Sequence, residues 1–255
     1  MRRRVSVRRA AMRALAGAVL LSAGCARDRA EGAAPAIAEP RLVELFEGVR
    51  ADPEMGIVEF DGFVAIDCHH PETPDVYLEV ICCTRDTREH EALVVTDVAP
   101  SLVHAALLAA GAEPGAPGAW REQDGSLRPV PPRGDRVRIT LLTRGEGGIE
   151  TEHDPASWVR AADSERTLRS AAPDAAWVFA GSRLRERGGR TVYDADGTGQ
   201  LIGLHTFGSE TLAWTRVESP DSWIDEPRWL ARNEAVPAFG TPVRVRLSVE
   251  RRPSP

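Results

Sequence analysis

From Arg41 onward the apolar residues recur in short runs bounded by turn residues, which is the pattern of strands rather than of helices. Ile57-Val-Glu-Phe60 and Phe63-Val-Ala-Ile-Asp-Cys68 flank Asp61-Gly62, a dipeptide favoured by tight hairpins, so two short strands joined by a turn are predicted there. Val76-Tyr-Leu-Glu-Val-Ile-Cys-Cys83, Ala92–Thr96, Asp135–Leu142, Trp177–Ala180, Leu201–Leu204 and Pro242–Val249 read as further strands. One segment reads as a helix, about residues 100–110, with Pro100 in its first turn and Gly111 as its stop. Ala112–Asp135 is rich in Gly and Pro and is predicted to be a long exposed loop. Asp194-Ala-Asp-Gly-Thr-Gly199 starts like a calcium loop but lacks the third acidic ligand and the closing Glu, so a hairpin turn is predicted. Gly134–Leu141 and Gly240–Leu247 share Gly, Val-Arg and Leu at equal offsets, an echo that common strand chemistry accounts for. The expected fold class is α+β: a single compact domain, residues 41–255, with a mainly antiparallel β-sheet and one principal helix.

Before that domain the pattern changes. Met1–Arg13 carries six Arg and no acid, followed by the apolar run Ala14–Leu21 and Ser22-Ala-Gly-Cys25. A basic start, a short apolar stretch and small residues before a cleavage point make a secretory signal, too short to span a bilayer. Small residues running into Cys25 resemble the lipobox of bacterial lipoproteins, with Ser22 where those proteins prefer Leu. Residues 1–24 are therefore expected to be a lipoprotein-type signal peptide and Cys25 the lipidated residue. Residues 25–40, rich in Ala and Pro, would be a tether holding the domain on the order of 20 Å from the bilayer. The expected location is the bacterial cell envelope, on the periplasmic side of the outer membrane if the cell is Gram-negative, since Ala26 rather than Asp follows Cys25.

Composition sharpens this. All 32 basic residues are Arg, and without Lys the chain has no P-loop or Schiff-base lysine. Removal of residues 1–24 leaves 26 Arg against 38 carboxylates, a formal charge of −12, which argues against nucleic acid as a partner and against electrostatic binding of the domain as a whole to anionic lipid. Every positive contact must be a guanidinium, so carboxylate or phosphate recognition would use planar, bidentate pairing, with Arg85 and Arg88 as the first candidates.

The chemistry-bearing residues are few. Cys68, Cys82 and Cys83 would sit in an oxidising compartment. Strand alternation puts Cys68 and Cys82 on the core face, where a bridge would close a loop of about fifteen residues and contribute roughly 3 kcal/mol, leaving Cys83 a free thiol on the opposite face. A vicinal Cys82–Cys83 redox pair or a metal thiolate is the sharper alternative. His90 lies between Glu89 and Glu91, a set that suits a divalent metal or acid–base chemistry, although His-Glu-x-x-His would need His where Val94 stands. The plain alternative is a solvated charged turn. His104, between Val103 and Ala105, has the setting of a hydrogen-bonded core histidine. Trp120, Trp158, Trp214, Trp223 and Trp229 lie in polar, loop-like surroundings, where they would cap the core edge or line a ligand groove.

Cys83-x-x-x-Thr87-Arg-Glu-His-Glu-Ala-Leu93 and Pro100–Gly115, with Trp177–Ser182, Gly203-Leu-His-Thr-Phe-Gly208 and Gly240-Thr-Pro-Val243, resemble the YdjY-domain family of exported bacterial proteins, particularly its lipoprotein-like members from planctomycete-type bacteria. The resemblance covers about residues 55–250. It implies that Thr87, Arg88, Glu89, His90, Glu91 and His104, which match hallmark positions, belong to a shared site. Because Cys83 occupies the family's Cys position, it also leaves a Cys68–Cys83 bridge open. Some members are labelled ferredoxin-like, yet three thiols alone do not ligate a four-iron cluster. Two functions are therefore expected: a lipid-anchored envelope module that binds a protein or a cell-wall glycan without catalysis or cofactor, or a hydrolase or redox enzyme using His90, Glu91 and His104, with a divalent metal held by Glu89, His90 and Glu91.

Overall fold

A computed structural model describes residues 39–72 and 75–251. The expected signal peptide, Cys25 and nearly all of the expected tether lie outside the described residues. Eleven strands form one mixed sheet: β1 (Val43–Phe46), β2 (Val49–Asp52), β3 (Ile57–Val64), β4 (Val80–Thr84), β5 (Ala92–Thr96), β6 (Val137–Arg144), β7 (Glu150–His153), β8 (Trp177–Phe179), β9 (Gln200–Gly203), β10 (Leu212–Trp214) and β11 (Pro242–Val249). Their order is β7-β6-β11-β3-β5-β4-β9-β10-β8, with β2, which carries β1, on the first half of β3. A single bridge between Arg136 and Val178 brings β8 back to the start of β6, so the sheet curls without closing. Pairing is antiparallel except for β4–β5 and β9–β10. The fold is thus α+β and dominated by sheet, as the alternation pattern predicts. The two echoing segments prove to be neighbours, β6 and β11 pairing with Leu141 opposite Val245.

The principal helix, α1 (Pro100–Ala109), has Pro100 at its first turn and buries Val103, Ala106 and Leu107 in the main core with Val49, Val58 and Phe60. Spacing of three and four places these residues on one face, where each large side chain contributes about 1.5–3 kcal/mol. On the opposite face of β3 stands Glu59, wholly buried, which accepts from Arg246 Nε at 2.6 Å and Arg244 at 3.4 Å. Those guanidiniums reach Glu152 and Glu150 on β7 at 3.1 and 3.0 Å. A smaller apolar cluster (Val80, Cys83, Ala92, Val95) lies under Phe63, Ala65 and Phe207.

The structure corrects four expectations. Asp61-Gly62 is not a turn: β3 runs unbroken through it, and Gly62 is required because a Cβ there would lie 2.7 Å from the Val95 carbonyl oxygen and 2.8 Å from Val94. The segment 112–135 is not a loop. It forms two ribbons, Pro114–Ala116 with Arg133–Gly134 and Ala119–Gln123 with Ser126–Val130, the latter turning at Asp124 and Gly125, both at positive φ. Asp194–Thr198 is a short helix (α3; the short α2 spans Leu168–Ala171) ended by left-handed Gly199, and the strand before it pairs in a hairpin of its own, Leu184–Arg187 with Arg190–Tyr193. Finally, Cys68, Cys82 and Cys83 are three buried free thiols. Cys68 and Cys82 both lie in the main core, as expected, although β3 ends at Val64 and no bridge joins them. Cys83 does face away from Cys82, but into the second apolar cluster rather than into solvent. Burial raises the pKa of all three thiols.

Gly62→Ala is expected to cost about 1–3 kcal/mol in chemical denaturation, because backbone and Val94 must both give way. Cys68, Cys82 and Cys83 should resist a thiol reagent in the native protein and all react in denaturant. A disulfide would remove two of them from that count.

Candidate functional site

Two features of the mixed sheet build the site. The parallel partners β4 and β5 are joined by residues 85–91 alone, although a parallel crossover ordinarily takes a dozen residues or more. The parallel partners β9 and β10 are joined as tightly, by residues 204–211. Each return is held by its own polar side chains. In the first, the Thr87 hydroxyl donates to the Thr84 carbonyl at 2.6 Å, and the Glu89 carboxylate accepts from the amides of Asp86 and Thr87. In the second, buried Glu210 accepts from the amides of Phe207 and Gly208. The two returns touch where the Arg88 guanidinium lies over the Phe207 ring, 4.4 Å from its centre.

Register then brings three side chains to one end of the sheet. Val80 pairs with Ala92, so Glu79 and Glu91 stand side by side just before their strands. Gly203 pairs with Val80, so residues 204 and 205 leave β9 at the same place. The Glu79 peptide knits them: its amide donates to the Glu91 carbonyl at 3.0 Å, and its carbonyl accepts from Leu204 and His205 at 3.0 and 2.9 Å. Arg88 reaches both carboxylates at 3.0 Å. Glu79, Glu91 and His205 line a cavity of about 140 Å³ with Tyr77, Asp225 and Arg228. His205 also lines an adjoining cleft of about 810 Å³ with Arg216, Glu218, Ile224 and Arg228. Buried Glu218 accepts from the indole N–H of Trp229 and lies 3.8 Å from both His205 Nε2 and Arg228.

Burial inverts the usual protonation order. It raises the Glu79 carboxyl to about 7, helped by its hydrogen bond to Glu91 and by that group's charge and opposed by Arg88. Burial also lowers His205 to about 4, outweighing the pull of Asp225 and Glu91. Near neutrality the carboxyl is the group holding a proton and the imidazole is the neutral base. Glu218 is likewise pushed up by burial, against its Trp229 hydrogen bond and Arg228. Such an arrangement can bind polar groups and can exchange a proton with a ligand.

The residues anticipated from the sequence fare unequally. Glu91 is in the site. His90 is on the same turn but points outward, its side chain 74 % exposed and 3.6 Å from Glu91. His104 belongs elsewhere: Nδ1 is 3.0 Å from the Tyr193 hydroxyl, and the ring packs edge-on against Phe179. The contacts of the two histidines have no residue in common. Glu89 is spent on its own turn, and among the described residues no three His, Cys, Asp or Glu side chains converge as metal ligands. Arg85 is held bidentately by Asp97, and Arg88 by Glu79 and Glu91, so both are committed within the chain. Trp158, Trp177, Trp214 and Trp229 are core residues, while Trp223 is 96 % exposed on the loop that lines the cleft. Glu79, His205, Glu218 and Asp225 were missed. The available signals were a lone acid in the apolar run Leu78-Glu79-Val80 and the histidine of Gly203–Gly208.

A curled mixed sheet with two short parallel returns meeting over a carboxyl–imidazole cluster defines the class of domain. The chain belongs to the YdjY-domain family, whose model matches residues 49–248. No curated protein and no solved structure matches the chain.

Glu79 sets a pH test. Its folded-state pKa lies above its unfolded value, so its contribution is fully present below about 4.5 and is lost as pH rises through about 7. His205 acts oppositely, adding stability as pH rises from about 4 to 6.5. In urea melts at pH 5 and pH 8, Glu79→Gln should therefore gain stability relative to wild type at the higher pH. A pH-independent difference would show that Glu79 titrates normally.

Proposed function

We propose that the protein is a lipid-anchored module of the bacterial cell envelope that binds a cell-wall glycan in the cleft beneath residues 221–228. Trp223 carries this reading. A wholly exposed indole on a loop whose Ile224, Asp225 and Arg228 line the cleft has no intramolecular return for its hydration. Sugar rings offer apolar faces that stack on an indole and hydroxyls that bond to Glu218, Asp225, Arg216 and Arg228. The cleft volume falls in the range of sites for ligands of a few rings. The signal-like residues 1–24, Cys25 and the tether support an envelope address. No helix of the described residues is long and apolar enough to cross a membrane, and attachment under this reading is through acyl chains.

The proton on Glu79 favours a second reading, in which a bound glycan is also cleaved with Glu79 as proton donor. One experiment addresses both. In calorimetric titration with soluble cell-wall glycan fragments, Trp223→Ala should weaken binding by about tenfold or more without altering the melting temperature. Absence of wild-type binding, or equal affinity of the variant, removes the binding reading. Unchanged fragment masses after prolonged incubation with the wild type remove the second.

A further inference from the structure

Four arginines lie on one small element, and two of them, Arg187 and Arg190, have no ion pair among the described residues. The hairpin Leu184–Arg187/Arg190–Tyr193 is separate from the main sheet and turns through Gly188 and Gly189, both at positive φ. Alternation places Arg185 and Arg187 on one face, with Arg183 just before them. Across the ribbon Arg185 stands opposite Val192 and Arg187 opposite Arg190, so all four arginines share that face. Arg183 and Arg185 both hold the same oxygen of Asp194 at 2.7 Å, which leaves one carboxylate against two guanidiniums. Arg187 and Arg190 have no ion pair among the described residues, and their strand positions are exposed. Like charges directly opposite each other on a ribbon are destabilising, and among the described residues no carboxylate forms an ion pair with either guanidinium.

We propose that this arginine face is a docking surface for the anionic phosphate headgroups of a lipid bilayer. Guanidinium matches phosphate bidentately, and four arginines against the single carboxylate of Asp194 make this face a local positive exception on a domain whose formal charge of −12 otherwise opposes contact with an anionic surface. The choice of a bilayer over a dissolved polyanion rests on the anchor at Cys25. The ribbon contributes neither Trp223 nor the walls of the 810 Å³ cleft, so failure here leaves the glycan reading standing, and the reverse also holds.

The test uses residues 39–255, which form a compact unit holding every residue of both apolar clusters and exclude the arginines of the signal. The domain should sediment with vesicles containing about 30 % phosphatidylglycerol, should not sediment with pure phosphatidylcholine, and should be released as salt rises towards ~0.5 M. R187E/R190E should lower the partition by about tenfold or more. R121E/R128E makes the same charge change at the cross-strand pair of the other exposed ribbon and should have little effect. No preference for anionic vesicles, no loss in R187E/R190E, or equal losses in the two variants would overturn the proposal. Displacement by ~10 mM inorganic phosphate at constant ionic strength would also overturn it, by revealing a site for the free ion.

Discussion

The contact of Arg88 with Phe207 is the constraint on which the site depends. Each residue sits on a return that joins parallel neighbours in fewer residues than such a connection ordinarily takes. Stacked together, they roof the small cluster of Val80, Cys83, Ala92 and Val95, while the same guanidinium ties Glu79 to Glu91. One cation therefore closes an apolar pocket on one side and sets a carboxyl pair on the other. This accounts for the Thr87–Glu91 block in local terms: Thr87 and Glu89 hold the turn, Arg88 links the returns, and Glu91 alone reaches the cavity.

Arginine performs this work throughout because the chain has no lysine. Glu59, fully buried, would carry a penalty of several kcal/mol if left unpaired, and it is held between Arg244 and Arg246, which extend to Glu150 and Glu152. Asp194 is likewise shared by Arg183 and Arg185, and Arg85 is taken by Asp97. A rigid planar fork that touches two acceptors at once suits such bridges. Once these internal pairs are made, Arg187 and Arg190 remain a pair of opposed cations on an exposed ribbon, as Arg121 and Arg128 do on another.

Much of the sheet was legible from alternation. Ala92–Thr96 and Pro242–Val249 lie where the pattern puts them, and α1 differs by one residue. The errors share a cause, which is that turn chemistry was judged without neighbours. Asp61-Gly62 reads as a hairpin in isolation, yet Gly62 is there to let β5 approach the backbone of β3. Asp124-Gly125 is a true hairpin turn that was hidden in a Gly- and Pro-rich stretch. For the thiols, alternation did place Cys68 and Cys82 in the main core, but a shared core does not by itself make a bridge.

By itself the sequence determined the class of fold and an acidic domain whose Lys-plus-Arg complement is all arginine, and it raised the expectations of an export-type N-terminus with a lipidated cysteine and of a shared site that includes Glu91. Local pattern suffices for these because each depends on residues close together along the chain. Only the tertiary structure decided that Glu79, Glu91 and His205 meet, that His90 points outward while His104 bonds Tyr193, and that Trp223 alone among the tryptophans is wholly exposed. Those facts depend on strand register between segments more than a hundred residues apart, and on burial, which raises one carboxyl and lowers one imidazole until their ordinary order of protonation is reversed.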